Sequence, residues 1–224
     1  MIFQRFETMG KPQMIRRVAI AVLSLSLAAL FSCIACTSVR LRRFEFREGD
    51  LIFQSLPRAS ELVDAIEGAT QSAWSHCGII MREDNQWVVY EAIGNVHHTP
   101  FPDWIRRGRG ERFEVYRLKP GIAFDTENLR AQLKSFWGKP YDFHYAPDDS
   151  AIYCSELVYK AYDRAAGIQI GTWQTLGSLD WKRFENFILT IEPEVPLERL
   201  MITPVALTRS ERVECVHARG GVGE

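Results

Sequence analysis

A cysteine becomes a nucleophile when a base takes or holds its proton and a third polar group orients that base. Cys154, His76 and Glu91 are residues of the right types for such a set. From Tyr153-Cys154-Ser155-Glu156-Leu157 onward, the positions Cys154, Leu157, Val158, Ala161, Tyr162 and Ala165 recur at helical spacing, and Gly167 sits where a C-terminal cap belongs. Asp148, Asp149 and Ser150 just upstream are good capping types. Cys154 is therefore expected in the first turn of a helix, where unpaired N–H groups and the macrodipole favour the thiolate. A buried thiol packing as a small hydrophobe is the alternative for any single cysteine.

His76 and Glu91 fall in Ser75–Met81 and Gln86–Ala92, two strand-like runs joined by Asp84-Asn85. So short a connection predicts an antiparallel hairpin, with His76 and Glu91 roughly opposite each other. A carboxylate can then hold one imidazole nitrogen and leave the other for the thiol. A satisfied structural histidine is the bland reading of His76. Glu91 resists the bland reading, because a carboxylate between Tyr90 and Ala92 on an apolar strand is costly unless paired. Cys77, next to His76, should point to the opposite face of the strand.

The elements around this pair are read in the same way. Leu51-Ile52-Phe53 after Gly49-Asp50 predicts a short strand, and Ser60 caps a helix over 60–69. Glu114–Leu118 reads as a strand. Pro100–Arg112 reads as a loop with one turn near Trp104. Its Arg106, Arg107, Arg109 and Arg112 suit a solvated face, or contact with an acidic substrate or headgroup. Asp125 and Thr126 start a helix through Leu129, Leu133 and Phe136, with Gly138 at its end. A helix is expected within Leu179–Phe187, proline-punctuated chain around 193–204, and frayed residues over Arg219–Glu224. His97-His98 is assigned to a loop and not to metal, and His144 either lines the cleft or is exposed. Cys215 is read as incidental.

A net charge of −1 argues against a general nucleic-acid binder, and five cysteines without regular spacing describe neither a disulfide framework nor a zinc site. Arg16 and Arg17 precede the fourteen-residue run Val18–Phe31, which ends in Ser32-Cys33-Ile34-Ala35-Cys36. That is the plan of a secretory signal peptide, too short for a spanning helix, with Met14 an alternative start to Met1. Cys33-x-x-Cys36 lacks the βαβ surroundings of a redox motif. Both cysteines resemble the acylated residue of a bacterial lipobox, and a simple exported or uncleaved anchor is the alternative. No aspartate follows either cysteine, which by resemblance to lipoprotein sorting points to the periplasmic face of the outer membrane. The expected organisation is a signal peptide over 1–36, a tether over 37–47, one domain over 48–215 and a disordered tail over 216–224.

Gly49–Phe53, Ser75-His76-Cys77-Gly78-Ile79, Tyr90-Glu91-Ala92, Thr99-Pro100, Tyr153–Leu157 and Ile202-Thr203-Pro204 occur here in that order. The chain resembles the permuted NlpC-like papain-fold hydrolases of the YaeF/YiiX group over about residues 47–207. The order His, Glu, Cys is the permuted one. The resemblance implies an α+β papain-like fold, a small antiparallel sheet packed against the helix that bears the nucleophile. It implies Cys154 as nucleophile, His76 as base and Glu91 as orienting group. Tyr141, in Gly138-Lys-Pro-Tyr141, matches a tyrosine beside the cysteine in NlpC-type enzymes. It is a candidate hydroxyl donor to the oxyanion, or else a core aromatic. No metal or organic cofactor is implied. The expected reaction is hydrolysis of an amide or ester, with a murein peptide or small aminoacyl amide as substrate. A lipid-directed acyltransferase or phospholipase, and a catalytically silent envelope-binding module, are the rival readings.

Overall fold

The computed structural model describes residues 44–146 and 148–220. The signal peptide, Cys33, Cys36 and all of the tether up to residue 43 lie outside the described residues, as do 221–224. The catalytic unit begins at Phe46.

The hairpin forms where two largely apolar, buried runs flank a two-residue turn. Strand β1 is Leu51–Gln54, β2 is His76–Glu83 and β3 is Gln86–Ile93. Asp84 and Asn85 between β2 and β3 both have positive φ (46° and 67°), the primed turn geometry that matches the twist of a hairpin. Strands β4 (Asn95–Pro100), β5 (Phe113–Leu118) and β8 (Val213–Arg219) complete a six-stranded antiparallel sheet of order β4-β3-β2-β1-β5-β8. A separate two-stranded ribbon pairs β6 (Gln174–Thr175) with β7 (Leu200–Met201).

Helix α1 (Glu61–Thr70) starts at Ser60, whose hydroxyl accepts from Leu62 N. Helix α2 (Phe101–Arg107) follows β4 directly, and α3 (Thr126–Ser135) is capped by Asp125. Helix α4 (Cys154–Ala166) ends at Gly167, whose φ of 65° is the left-handed cap expected there. Helices α5 (Glu185–Ile191) and α6 (Pro204–Thr208) come last. The core lies between the sheet face bearing Leu51, Phe53, Ile79, Met81 and Tyr90 and the inner faces of α3 and α4, through Leu129, Leu133, Leu157, Val158 and Ala161. This is the α+β plan expected, a sheet packed on the cysteine helix.

Several boundaries differ from the sequence reading. Pro100–Arg112 is not a loop, because Phe101, Trp104 and Ile105 bury one face of α2. His97 and His98 belong to β4. The last strand runs to Arg219, past the expected end of the domain at 215, because it pairs along β5 as far as Phe113. The late helix starts inside the expected 179–187, as a 3-10 turn over Lys182–Phe184 that leads into α5, and runs past it to Ile191. Phe46 packs on Phe101 at 4.6 Å between ring centres, and Arg47 N donates to Asp50, so the last tether residues join the domain.

Candidate active site

Cys154 is the first residue of α4, and Tyr153 before it is extended, with φ −99° and ψ 166°. No side chain caps this helix. Asp149 binds Lys160 (2.8 Å) and Arg164 (2.6 Å) instead, and Asp148 accepts from Ser150 N, so the expected capping residues are spent elsewhere. The first-turn amides are thus left to face whatever approaches the sulfur. Two bonds fix the start of the helix. Ser155 Oγ donates to Ile202 O (2.8 Å), and Ile202 N donates to Tyr153 Oη (3.0 Å).

His76 opens β2 and is buried with Cys154 and Glu91. Ile79 pairs with Tyr90, so the same register sets Glu91 opposite Gly78, and His76 meets it diagonally across the hairpin. Gly78 is needed there, because a Cβ would come 2.5 Å from Tyr90 O. His76 Nε2 lies 2.5 Å from Glu91 Oε2, and its ring stacks on Trp104 at 6.1 Å.

Glu91 is completely buried, and its cost is met by a ring of donors. Trp104 Nε1 donates at 2.9 Å and Thr99 Oγ1 at 2.5 Å, Arg107 donates as well, and His97 Nε2 stands 3.8 Å away. Arg107 therefore serves the site rather than a solvated face, and Arg109 binds Glu67 of α1.

The charges follow from these contacts. Burial would raise the Glu91 carboxyl, but the hydrogen bonds and charges of His76 and Arg107 pull it down to about 2. Burial would lower His76, yet hydrogen bonds to Cys154 and Glu91, and both charges, raise it to about 9. The Cys154 thiol is held well below its ordinary value by a hydrogen bond from the Cys77 side chain, against burial, and by His76 and the Cys77 backbone. Of those partners only His76 carries a charge, and a thiol is a weak donor, so the imidazolium is the principal stabiliser of the thiolate. Cys77 itself is pushed well up by burial and by its neighbour Cys154, and stays a thiol. Its strand alternation is as expected, but the face it points to is the one packed on α4, so it lies beside the nucleophile.

Tyr141 reaches the site because 138–141 lies along β4: Gly138 N donates to Val96 O and Tyr141 N to Gly94 O. Its phenol is kept neutral, first by burial and then by Tyr145 and the Cys154 charge. Tyr145, at φ 53°, is a second phenol beside it that the sequence did not mark. Asp142 holds the intervening turn through His144 N and Ala146 N. His144 lines the cleft in front of Cys154, with its Nδ1 3.0 Å from Glu192. Cys215 is free and exposed.

A thiol at a helix start with a buried imidazole and carboxylate behind it defines a hydrolase of the cysteine-peptidase type. Residues 45–217 match the family described as permuted papain-like amidase enzyme, YaeF/YiiX, C92 family, and the chain belongs to that family. It is 34% identical to the uncharacterized protein YiiX of Escherichia coli K12 over 163 residues, covering 71% of this chain and 80% of that one. It is also similar to a crystal structure titled metalloprotein yiiX, from Escherichia coli O157:H7. That match has a TM-score of 0.73 and 31% identity, and covers 79% of this chain and 99% of the other. Among the described residues no group of three or more His, Cys, Asp and Glu is placed so that it could hold a metal ion.

Proposed function

We propose that this chain opens an amide or ester bond through a Cys154 thioester, at the bacterial cell envelope. The observation that carries it is the uncapped start of α4, where the Cys154 sulfur meets His76, itself held by Glu91. The thiolate attacks the carbonyl carbon, and the first-turn amides of α4 with the Tyr141 hydroxyl stabilise the oxyanion. The imidazolium of His76 gives its proton to the leaving amine or alcohol as the C–N or C–O bond breaks. Water, deprotonated by the now neutral His76, then attacks the thioester; the C–S bond breaks, releasing a carboxylic acid and restoring the thiolate–imidazolium pair.

The signal-like segment with Cys33 or Cys36 supports attachment by acylated cysteine, with outer-membrane lipid as the anchor. An envelope location suits a murein peptide or small aminoacyl amide. The walls of the cleft suit a lipid acyl group, the reading with a structural observation behind it. Incubating the protein with murein fragments and with lipid extracts, and reading products by mass spectrometry, tests the activity; Cys154→Ser abolishes turnover. A Cys154→Ala protein that turns over substrate normally refutes the acyl-enzyme. Cys33→Ser and Cys36→Ser, alone and together, with labelled palmitate, test the anchor. Label that survives the double change refutes it.

A further inference from the structure

Cys154 lies at the floor of a cleft of about 840 Å³, counted with its open mouth. One wall is α1, through Leu62 and Ile66, and the other is α5, through Phe187, Ile188 and Ile191. None of these five belongs to the main core. Helix α5 has no fully buried residue, and its Phe187, Ile188 and Ile191 stay half-buried along the cleft. A stripe of half-exposed Phe and Ile beside a nucleophile is costly in water, and the group that fills the cleft removes that cost.

The chargeable side chains that line the cleft, His144, Glu192 and Arg199, are already engaged with one another. His144 Nδ1 and Arg199 both meet Glu192, and Arg199 also donates to His144 O (2.5 Å). That leaves no uncommitted cation or carboxylate among them for the several charges of a murein peptide. Such charges would be desolvated between α1 and α5 without a partner.

We infer that the cleft receives an uncharged aliphatic acyl chain, so that the acyl group carried by Cys154 is a fatty acyl and the substrate a fatty amide or ester. This deepens the acyl-enzyme reading and rests on it. Binding should strengthen with each methylene that enters the cleft, by up to about fourfold, the equivalent of about 0.8 kcal/mol.

The test alkylates the full-length protein at pH 7 with iodoacetamide and with N-ethyl, N-butyl, N-hexyl and N-octyl iodoacetamides. Adducts are counted by mass spectrometry, and the exposed Cys215 in the same chain is the internal standard. The ratio of Cys154 to Cys215 adducts should climb steadily with chain length. Ile66→Asp and Ile188→Asp, on opposite walls, should each flatten the climb. Leu189→Asp, on the exposed side of α5, should keep it. A ratio that stays flat in the unmodified protein, while Cys154 still reacts faster than Cys215 with iodoacetamide itself, overturns the acyl cleft and leaves the nucleophile standing. Cys154 reacting no faster than Cys215 with iodoacetamide overturns the reading beneath it. Faster turnover of a murein peptide than of an N-octanoyl amide would equally overturn the fatty-acyl assignment.

Discussion

Replacing Glu91 by glutamine keeps the length and shape of the side chain and removes its charge. In the native site His76 titrates at about 9 rather than 6.5, although burial opposes its charge. At about 1.4 kcal/mol per unit that rise is worth about 3 kcal/mol of preference for the imidazolium. Its folded value is raised, so this stabilisation is complete below the unfolded value of 6.5 and is lost as pH climbs through about 9. Glu91 is one of the two groups that oppose burial; the Cys154 thiolate is the other. An opposite charge at hydrogen-bond range moves a titration by about 1–3 units, so Glu91→Gln should bring His76 down to about 6–8. The assay is NMR titration of the protein labelled with nitrogen-15 histidine, the His76 signal assigned by its loss in His76→Gln. The alkaline limb of the hydrolytic profile should move down by the same amount, since acylation needs the imidazolium to protonate the leaving group. Thiolate reactivity at acid pH should survive, because removing a nearby negative charge does not disfavour a thiolate. An imidazole that still titrates near 9 without the carboxylate would refute the electrostatic account of the site.

Three further outcomes follow from the same structure. Brief iodoacetamide treatment at mildly acidic pH should label Cys154 first and spare Cys77, with His76→Ala slowing the reaction; equal labelling of the two cysteines would make Cys154 an ordinary thiol. Burial pushes the Glu156 carboxyl up to about 7 even though Lys160 Nζ stands 2.6 Å from it. Stability should therefore fall as pH rises from about 4.5 through 7, and Glu156→Gln should recover up to about 3 kcal/mol at pH 8 and little at pH 4, read by chemical denaturation at both. Gly78→Ala drives a Cβ to 2.5 Å from Tyr90 O and should cost about 1–3 kcal/mol in the same measurement, a loss that an unchanged unfolding midpoint would exclude.

The parts of this site that the sequence displays are those set by local rules. Asp84-Asn85 announces a hairpin because few residue pairs tolerate two positive φ values in succession, and Ser60, Asp125 and Gly167 mark helix ends because each satisfies or frees a particular backbone group. Family order supplied the Cys–His–Glu reading beyond what spacing alone carried. What stayed hidden depends on distant partners. Strand β4 reads Asn-Val-His-His-Thr-Pro, polar enough to pass for a loop, and it is held as a strand by its ladder to β3. Helix α2 has seven residues with a proline in its first turn, and it exists because Trp104 and Ile105 have a core to enter. Arg107 sits one helical turn after Trp104, and both meet Glu91. Its role could have been suspected from the cost of burying that carboxylate, since a lone histidine is a modest counter-charge. Cys77 was correctly placed on alternate sides of the strand from His76. Which side carried α4 is a tertiary fact that alternation does not contain.

The same division separates what this protein can change cheaply from what it cannot. Glu91 is bound by residues of β2, β4 and α2 at once, so any change there is felt by the sheet and the catalytic pair together. The cleft walls are otherwise arranged. Leu62, Ile66, Phe187, Ile188 and Ile191 are only half buried, and the core that joins the sheet to α4 closes without them. Exchanging one of them for another apolar residue changes the volume offered to a substrate at little cost to folding, and placing a charge there opposes an apolar occupant. Chain-length preference should therefore respond to substitution in α1 and α5 independently of the thiolate's acidity. A wall substitution that shifted both together would mean that the cleft and the catalytic pair are one mechanical unit.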